Sequence, residues 1–125
     1  FIAYDRDGLK FPKQRISSFA IAKIDNENIL LDIIEKPSKQ MINESKDSLG
    51  KIRVSMNLLK FDGEKSYSYF NNCTINKKRN EKEIPDVIKK MISEGRINIK
   101  GILISENVLD LTSKNDIVEV QKYII

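Results

Sequence analysis

The sequence has no histidine, no tryptophan and a single cysteine, Cys73. Each absence removes a class of chemistry. One cysteine cannot close a disulfide within the chain, and a lone thiol fits a reducing, cytoplasmic compartment. Without histidine, Ser-His and Cys-His catalytic pairs are excluded. A zinc site of the His/Cys type has almost no ligands to draw on. A catalytic metal would have to be a hard cation held by carboxylates, magnesium before zinc. Long apolar runs are also missing: residues 29–31 and 102–104 are far too short to cross a bilayer. The opening residues lack the pattern of a signal peptide, running directly into Asp5, Arg6 and Asp7. They begin without Met, in what reads as the middle of a strand, so an excised part of a longer protein is expected.

What is present reads as a soluble globular domain. Hydrophobic residues make up 40% and charged residues 32%, a balance that can bury a core. At 125 residues, a single domain over residues 1–125 is expected. The net charge of +4 is compatible with phosphate-bearing ligands but does not demand a nucleic acid.

Short β-branched runs alternate with helical periodicity, which predicts an α/β architecture. Residues 1–4, 16–24, 29–34, 52–61 and 97–105 read as strands, with a hairpin turn at 25–28. Residues 5–14 read as a loop, and 38–50 as a loop or short helix. The clearest helix covers 85–94. Ile84, Val87, Ile88, Met91 and Ile92 share one face, Pro85 suits the first turn, and Gly95 supplies a left-handed stop. A last helix follows Ser113, whose hydroxyl and Asp116 make a capping-box-like pair.

Three stretches carry chemistry. Ile33-Ile34-Glu35-Lys36-Pro37 is a strand end that presents a carboxylate beside an ammonium and then stops at proline. Ligands of open α/β sheets bind at strand carboxyl ends. There glutamate accepts bonds from sugar hydroxyls and lysine offers a point charge to phosphate, although a solvated strand end gives the same tripeptide. Arg79 to Ile88 reads either as a charged loop feeding a helix or as a source of Arg79 for an anion. Asp110 sits before the final helix, as a turn residue or a metal ligand. Tyr67, Tyr69, Phe70, Lys77, Lys78 and Arg79 interleave rings and charges as single-strand nucleic-acid binders do. A helix packing its rings inward explains them as well, and no recognition motif accompanies them, so no nucleic-acid partner is expected.

Taken in order, these stretches resemble the second half of the sugar-1-phosphate nucleotidyltransferase family. Glu35-Lys36-Pro37 is similar to that family's strand-ending Glu-Lys-Pro. Val54-Ser55-Met56-Asn57-Leu58-Leu59-Lys60-Phe61 is similar to its Val-Asn-Thr-Gly-Ile-Tyr-Val-Phe strand, in the manner of a divergent branch. Arg79 to Asp86 resembles its Arg-x-Glu-x-Glu segment opening a helix, and Asp110 with Asp116 its Trp-x-Asp-x-Gly-Thr-x-x-Asp segment. Val108 stands for the Trp, and Thr112 for the Gly.

The resemblance implies a partial doubly wound, nucleotide-diphospho-sugar-transferase-like mixed sheet flanked by helices. It implies Glu35, Lys36, Asn57 and Arg79 as sugar-phosphate contacts, Lys36 as the catalytic cation, and Asp110 as a magnesium ligand. Asn57 stands where the family has a glycine. The family's Gly-x-Gly-x-Arg triphosphate loop has no counterpart in this chain, and neither does its first-half acidic metal ligand. The expected function is therefore the sugar-phosphate side of a site joining a nucleoside triphosphate to a sugar 1-phosphate. The alternative is a binding or regulatory module of the same fold without the chemistry.

Overall fold

Ile2, Ala3 and Tyr4 point alternately to two sides of one strand, and the two sides belong to different cores. Ala3 joins Ala22, Ile24, Leu30, Ile33, Tyr69, Val87, Ile88 and Met91. Tyr4 joins Leu9 and Val54, with Ile2, Ile16, Phe19 and Ile104 packed against them. The computed structural model describes residues 1–124. Its centre is a mixed, open five-stranded sheet in the order β3-β2-β4-β1-β5. The strands are β1 Ile2–Asp5, β2 Ile21–Ile24, β3 Leu30–Ile34, β4 Arg53–Val54 and β5 Ile102–Ile104. β1 runs parallel to β5 and antiparallel to β4, while β2 pairs antiparallel with β3 and β4. The helices are α1 Lys13–Ser18, α2 Lys39–Glu44, α3 Gly63–Asn71, α4 Ile84–Glu94 and α5 Asp116–Ile124. Residues of α3 and α4 enter the first core and Ile16 of α1 the second, so the sheet is flanked on both faces.

The β2–β3 hairpin forms as the sequence predicts. Asp25 Oδ1 accepts from the Glu27 and Ile29 N–H groups at 2.9 and 2.8 Å, and Asn28 takes the left-handed φ of 64° that the turn requires. α4 also matches. Val87, Ile88 and Met91 are buried, and Gly95 closes the helix at φ 64°. Burying Ile88 and Met91 is worth roughly 1.5–3 kcal/mol each, which anchors α4 firmly. α5 follows Ser113 as expected but buries no residue.

Three predicted strands are shorter than expected. Residues 16–24 split: the first part belongs to α1, and only Ile21–Ile24 is extended. Pro12 starts the helix, and Ile16 and Phe19 reach the second core from it, with Phe19 edge-on to Phe11 at 5.5 Å. Apolar spacing alone did not separate these two ways of burying the same residues. Of residues 52–61, only Arg53–Val54 is a strand, flanked by a bridge at Ile52. Asn57 turns left-handed at φ 59° and ends it, yet Leu58 O still accepts from Ile2 N at 3.1 Å. Of residues 97–105, only Ile102–Ile104 is a named strand. The preceding residues bond instead to the start of β3, with Leu30 N donating to Ile99 O at 2.8 Å. Gly101 lies where the chain changes partners. A Cβ there would meet the Phe1 ring at 3.0 Å and Asn28 O at 3.3 Å. The expected loop at 5–14 contains a 3-10 turn, Arg6–Gly8, and the first residues of α1. No helix among the described residues is long and apolar enough to cross a membrane.

Candidate functional site

The carboxyl end of β3, the loop after β4 and the turn before α4 meet around one cleft of about 540 Å³. β3 delivers Ile33 to the floor and Glu35 and Lys36 to the wall. Lys36 adopts φ 48°, a backbone costly for a residue with a Cβ. That conformation turns the chain sharply before Pro37. The loop after β4 contributes Ser55 and the left-handed Asn57. Ser55 is buried and tied to the sheet by its N–H, which donates to Ala20 O at 3.0 Å.

The third wall is the turn leading into α4. Asn76 organises it: its carbonyl accepts from Asn80 N at 2.7 Å and its side-chain amide donates to Glu83 Oε2 at 2.6 Å. Arg79 Nη1 lies 2.8 Å from the other Glu83 oxygen. Glu83 stands at the N-cap of α4 but makes no side-chain cap bond, because both oxygens are engaged elsewhere. Lys82 donates to Asn71 O at 3.1 Å. Among the described residues, Lys36 and Glu35 have no ion-pair partner. The cleft thus offers a free ammonium beside a free carboxylate, over the apolar floor of Ala20, Ile33 and Ile88.

Four of the sequence-predicted residues, Glu35, Lys36, Asn57 and Arg79, therefore line one cleft. Asp110 does not join them. Its Oδ2 lies 2.6 Å from Arg15 Nη2 and accepts from the Thr112 hydroxyl at 2.9 Å. Arg15 also grips Asp116 through both carboxylate oxygens, at 2.5 and 3.2 Å, and stacks 5.0 Å above the Phe11 ring. Asp116 in turn accepts from Ser113 N at 2.7 Å and Thr112 N at 3.0 Å. The Arg15 guanidinium, followed by the Ser113 N–H, holds the Asp116 carboxyl well below the usual carboxylate range. The same contacts, Asp116 first and then Asp110, raise the Arg15 pKa.

This arrangement does not fit a magnesium site. Both oxygens of Asp116 and Oδ2 of Asp110 are engaged by the Arg15 guanidinium, which leaves Asp110 Oδ1 as the single uncommitted carboxylate oxygen, whereas magnesium takes several oxygen ligands. No cluster of three or more acidic, histidine or cysteine residues placed for a metal occurs among the described residues. The two Arg15–Asp116 bonds fasten the start of α5 to α1, which suits a helix that buries nothing of its own.

Sequence reasoning missed Glu83 as the partner of Arg79, because the two are paired by the turn before α4 and not by helical spacing. It also missed Arg15, which lies 95 residues from Asp110 and carries no local mark. Of the three rings of the candidate nucleic-acid face, Tyr69 and Phe70 turn inward and Tyr67 is exposed. Tyr69 is buried with its hydroxyl on Glu94 at 2.8 Å, and Phe70 packs edge-on against Phe61 at 5.0 Å. No protein family, curated protein or solved structure is matched by this chain.

Proposed function

We propose that the cleft binds a sugar phosphate, and that the chain forms the sugar-phosphate side of a nucleotidyl-transfer site of nucleotide-diphospho-sugar-transferase type. One observation carries this reading. Glu35, Lys36, Asn57 and Arg79, drawn from three separate segments, line a single cleft. Its charge supports a polyhydroxylated ligand with one phosphate: the cations Lys36, Arg79 and Lys82 are matched by Glu35, Glu81 and Glu83. Carboxylates and the Asn57 amide suit hydroxyls, and Lys36 suits the phosphate. In such a transfer the sugar phosphate attacks the α-phosphorus of the triphosphate in line and displaces pyrophosphate. Positioning then supplies much of the rate. Lys36 holds the nucleophile and offsets its charge.

A second reading, a binding module without chemistry, is favoured by Asp110, whose carboxylate is taken up by Arg15. Pyrophosphate release with nucleoside triphosphates and sugar 1-phosphates separates the two. The 125 residues have no Gly-x-Gly loop to hold a triphosphate, and holding it is worth about 7–11 kcal/mol of the barrier. Sugar-phosphate binding without turnover is expected of them. Turnover that depends on Asp110 would show that the triphosphate is held elsewhere in this chain.

A further inference from the structure

The cleft occupies the N-terminal end of α4; at the other end of that helix the surface is of a different kind. One cavity of about 470 Å³ is walled by Lys60, Lys65, Arg96 and Lys100 over the ring of Phe61. A second, of about 350 Å³, adds Lys90 and Glu94 and shares Lys65, Arg96 and Ile97 with the first. The two form one trough. Among the described residues, only Lys65 of these cations has a carboxylate within ion-pair range, Asp62 at the limit of 4.0 Å. Glu94 is engaged by the Tyr69 hydroxyl.

We infer that this trough binds a soluble compound bearing several linked phosphates, such as inorganic triphosphate or a nucleoside triphosphate. Unpaired cations converging on a concave surface repel one another and focus a positive field into the hollow. A multiply charged anion relieves that repulsion and collects charge-assisted bonds from more than one wall. The contrast with the cleft assigns the ligands. Cations there are balanced by Glu35, Glu81 and Glu83. Here five basic side chains face only Asp62 and Glu94. The cavity volumes fall within the roughly 300–1,000 Å³ of small-molecule sites. Arg96 and Lys65 stand on both cavities, and of the two only Arg96 has no carboxylate within ion-pair range among the described residues, which makes it the central contact.

Calorimetric titration of the chain with inorganic triphosphate at low ionic strength tests this. Saturable binding is expected, weakened about tenfold in Arg96→Ala and lost in Arg96→Ala combined with Lys100→Ala. Arg96→Lys should recover part of it. A sugar 1-phosphate in excess should not displace the triphosphate, which keeps this outcome separate from that of the cleft. Both cations are exposed, so the unfolding midpoints of the variants should match the parent. Absence of saturable binding, or binding undiminished in the double variant, would overturn the inference. So would a single-stranded oligonucleotide that binds more tightly as it lengthens and displaces triphosphate, since the trough would then belong to a nucleic-acid surface.

Discussion

Arg79 Nη1 lies 2.8 Å from Glu83 Oε1, so the guanidinium of the cleft is already neutralised by its own rim. Arg79 is half exposed at 51%, while Glu83 is 12% exposed and also bonded to Asn76. A phosphate entering the cleft must compete with Glu83 for Arg79. Pairs this exposed are worth about 0–1 kcal/mol. Glu83→Gln keeps an acceptor for Asn76 and removes the competing charge. It should tighten sugar 1-phosphate binding by roughly two- to fivefold. Weaker binding in that variant, read by titration, would mean that Glu83 itself holds the ligand.

Lys36 sits at φ 48°. A left-handed residue with a Cβ costs roughly 1–2 kcal/mol, and glycine carries no such penalty. Lys36→Gly should raise stability by about 0.5–1 kcal/mol once the extra entropy of unfolded glycine is counted, and should lower affinity for a sugar phosphate. A gain in stability with a loss in binding is the mark of strain kept for a site. Denaturant unfolding and titration read the two effects. Destabilisation by glycine would show that the Lys36 side chain supports the fold instead.

The latch of α5 depends on pH in a calculable direction. The Asp116 carboxyl is held below its unfolded value by Arg15 and the Ser113 N–H. Its contribution is therefore complete above the ordinary aspartate pKa of about 3.9 and is lost as pH falls through the lower folded value. Amide protection in α5 should be constant from neutrality down to about pH 5 and decline in stronger acid. Asp116→Asn should lose that protection at neutral pH. Equal protection in the variant would mean that packing, not the latch, holds the helix.

Much of the fold was legible because it rests on local signals. The hairpin at Asp25–Asn28 and the Pro85-to-Gly95 frame of α4 each carry their own turn or cap chemistry. The shortened strands were not legible, since Ile16 and Phe19 satisfy an extended pattern while the chain packs them on the second core from a helix, and Leu58 satisfies it while remaining exposed. The cleft residues were found through ordered motifs, each weak alone. What escaped was pairing over distance. Nothing near Asp110 announces that Arg15 will neutralise it, and a carboxylate in a polar loop reads the same whether it awaits a cation or already has one.

The central claim is that Glu35, Lys36, Asn57 and Arg79 form one binding site. Calorimetric titration with a panel of sugar 1-phosphates, beside the matching free sugars and inorganic phosphate, tests it most directly. The expected result is saturable binding of at least one sugar 1-phosphate, tighter than either of its parts. Lys36→Ala should weaken it about tenfold, and Lys36→Arg should not fully restore it, because a planar fork does not replace a point charge. Binding of no sugar phosphate, or affinity untouched by both Lys36→Ala and Arg79→Ala, would contradict the account.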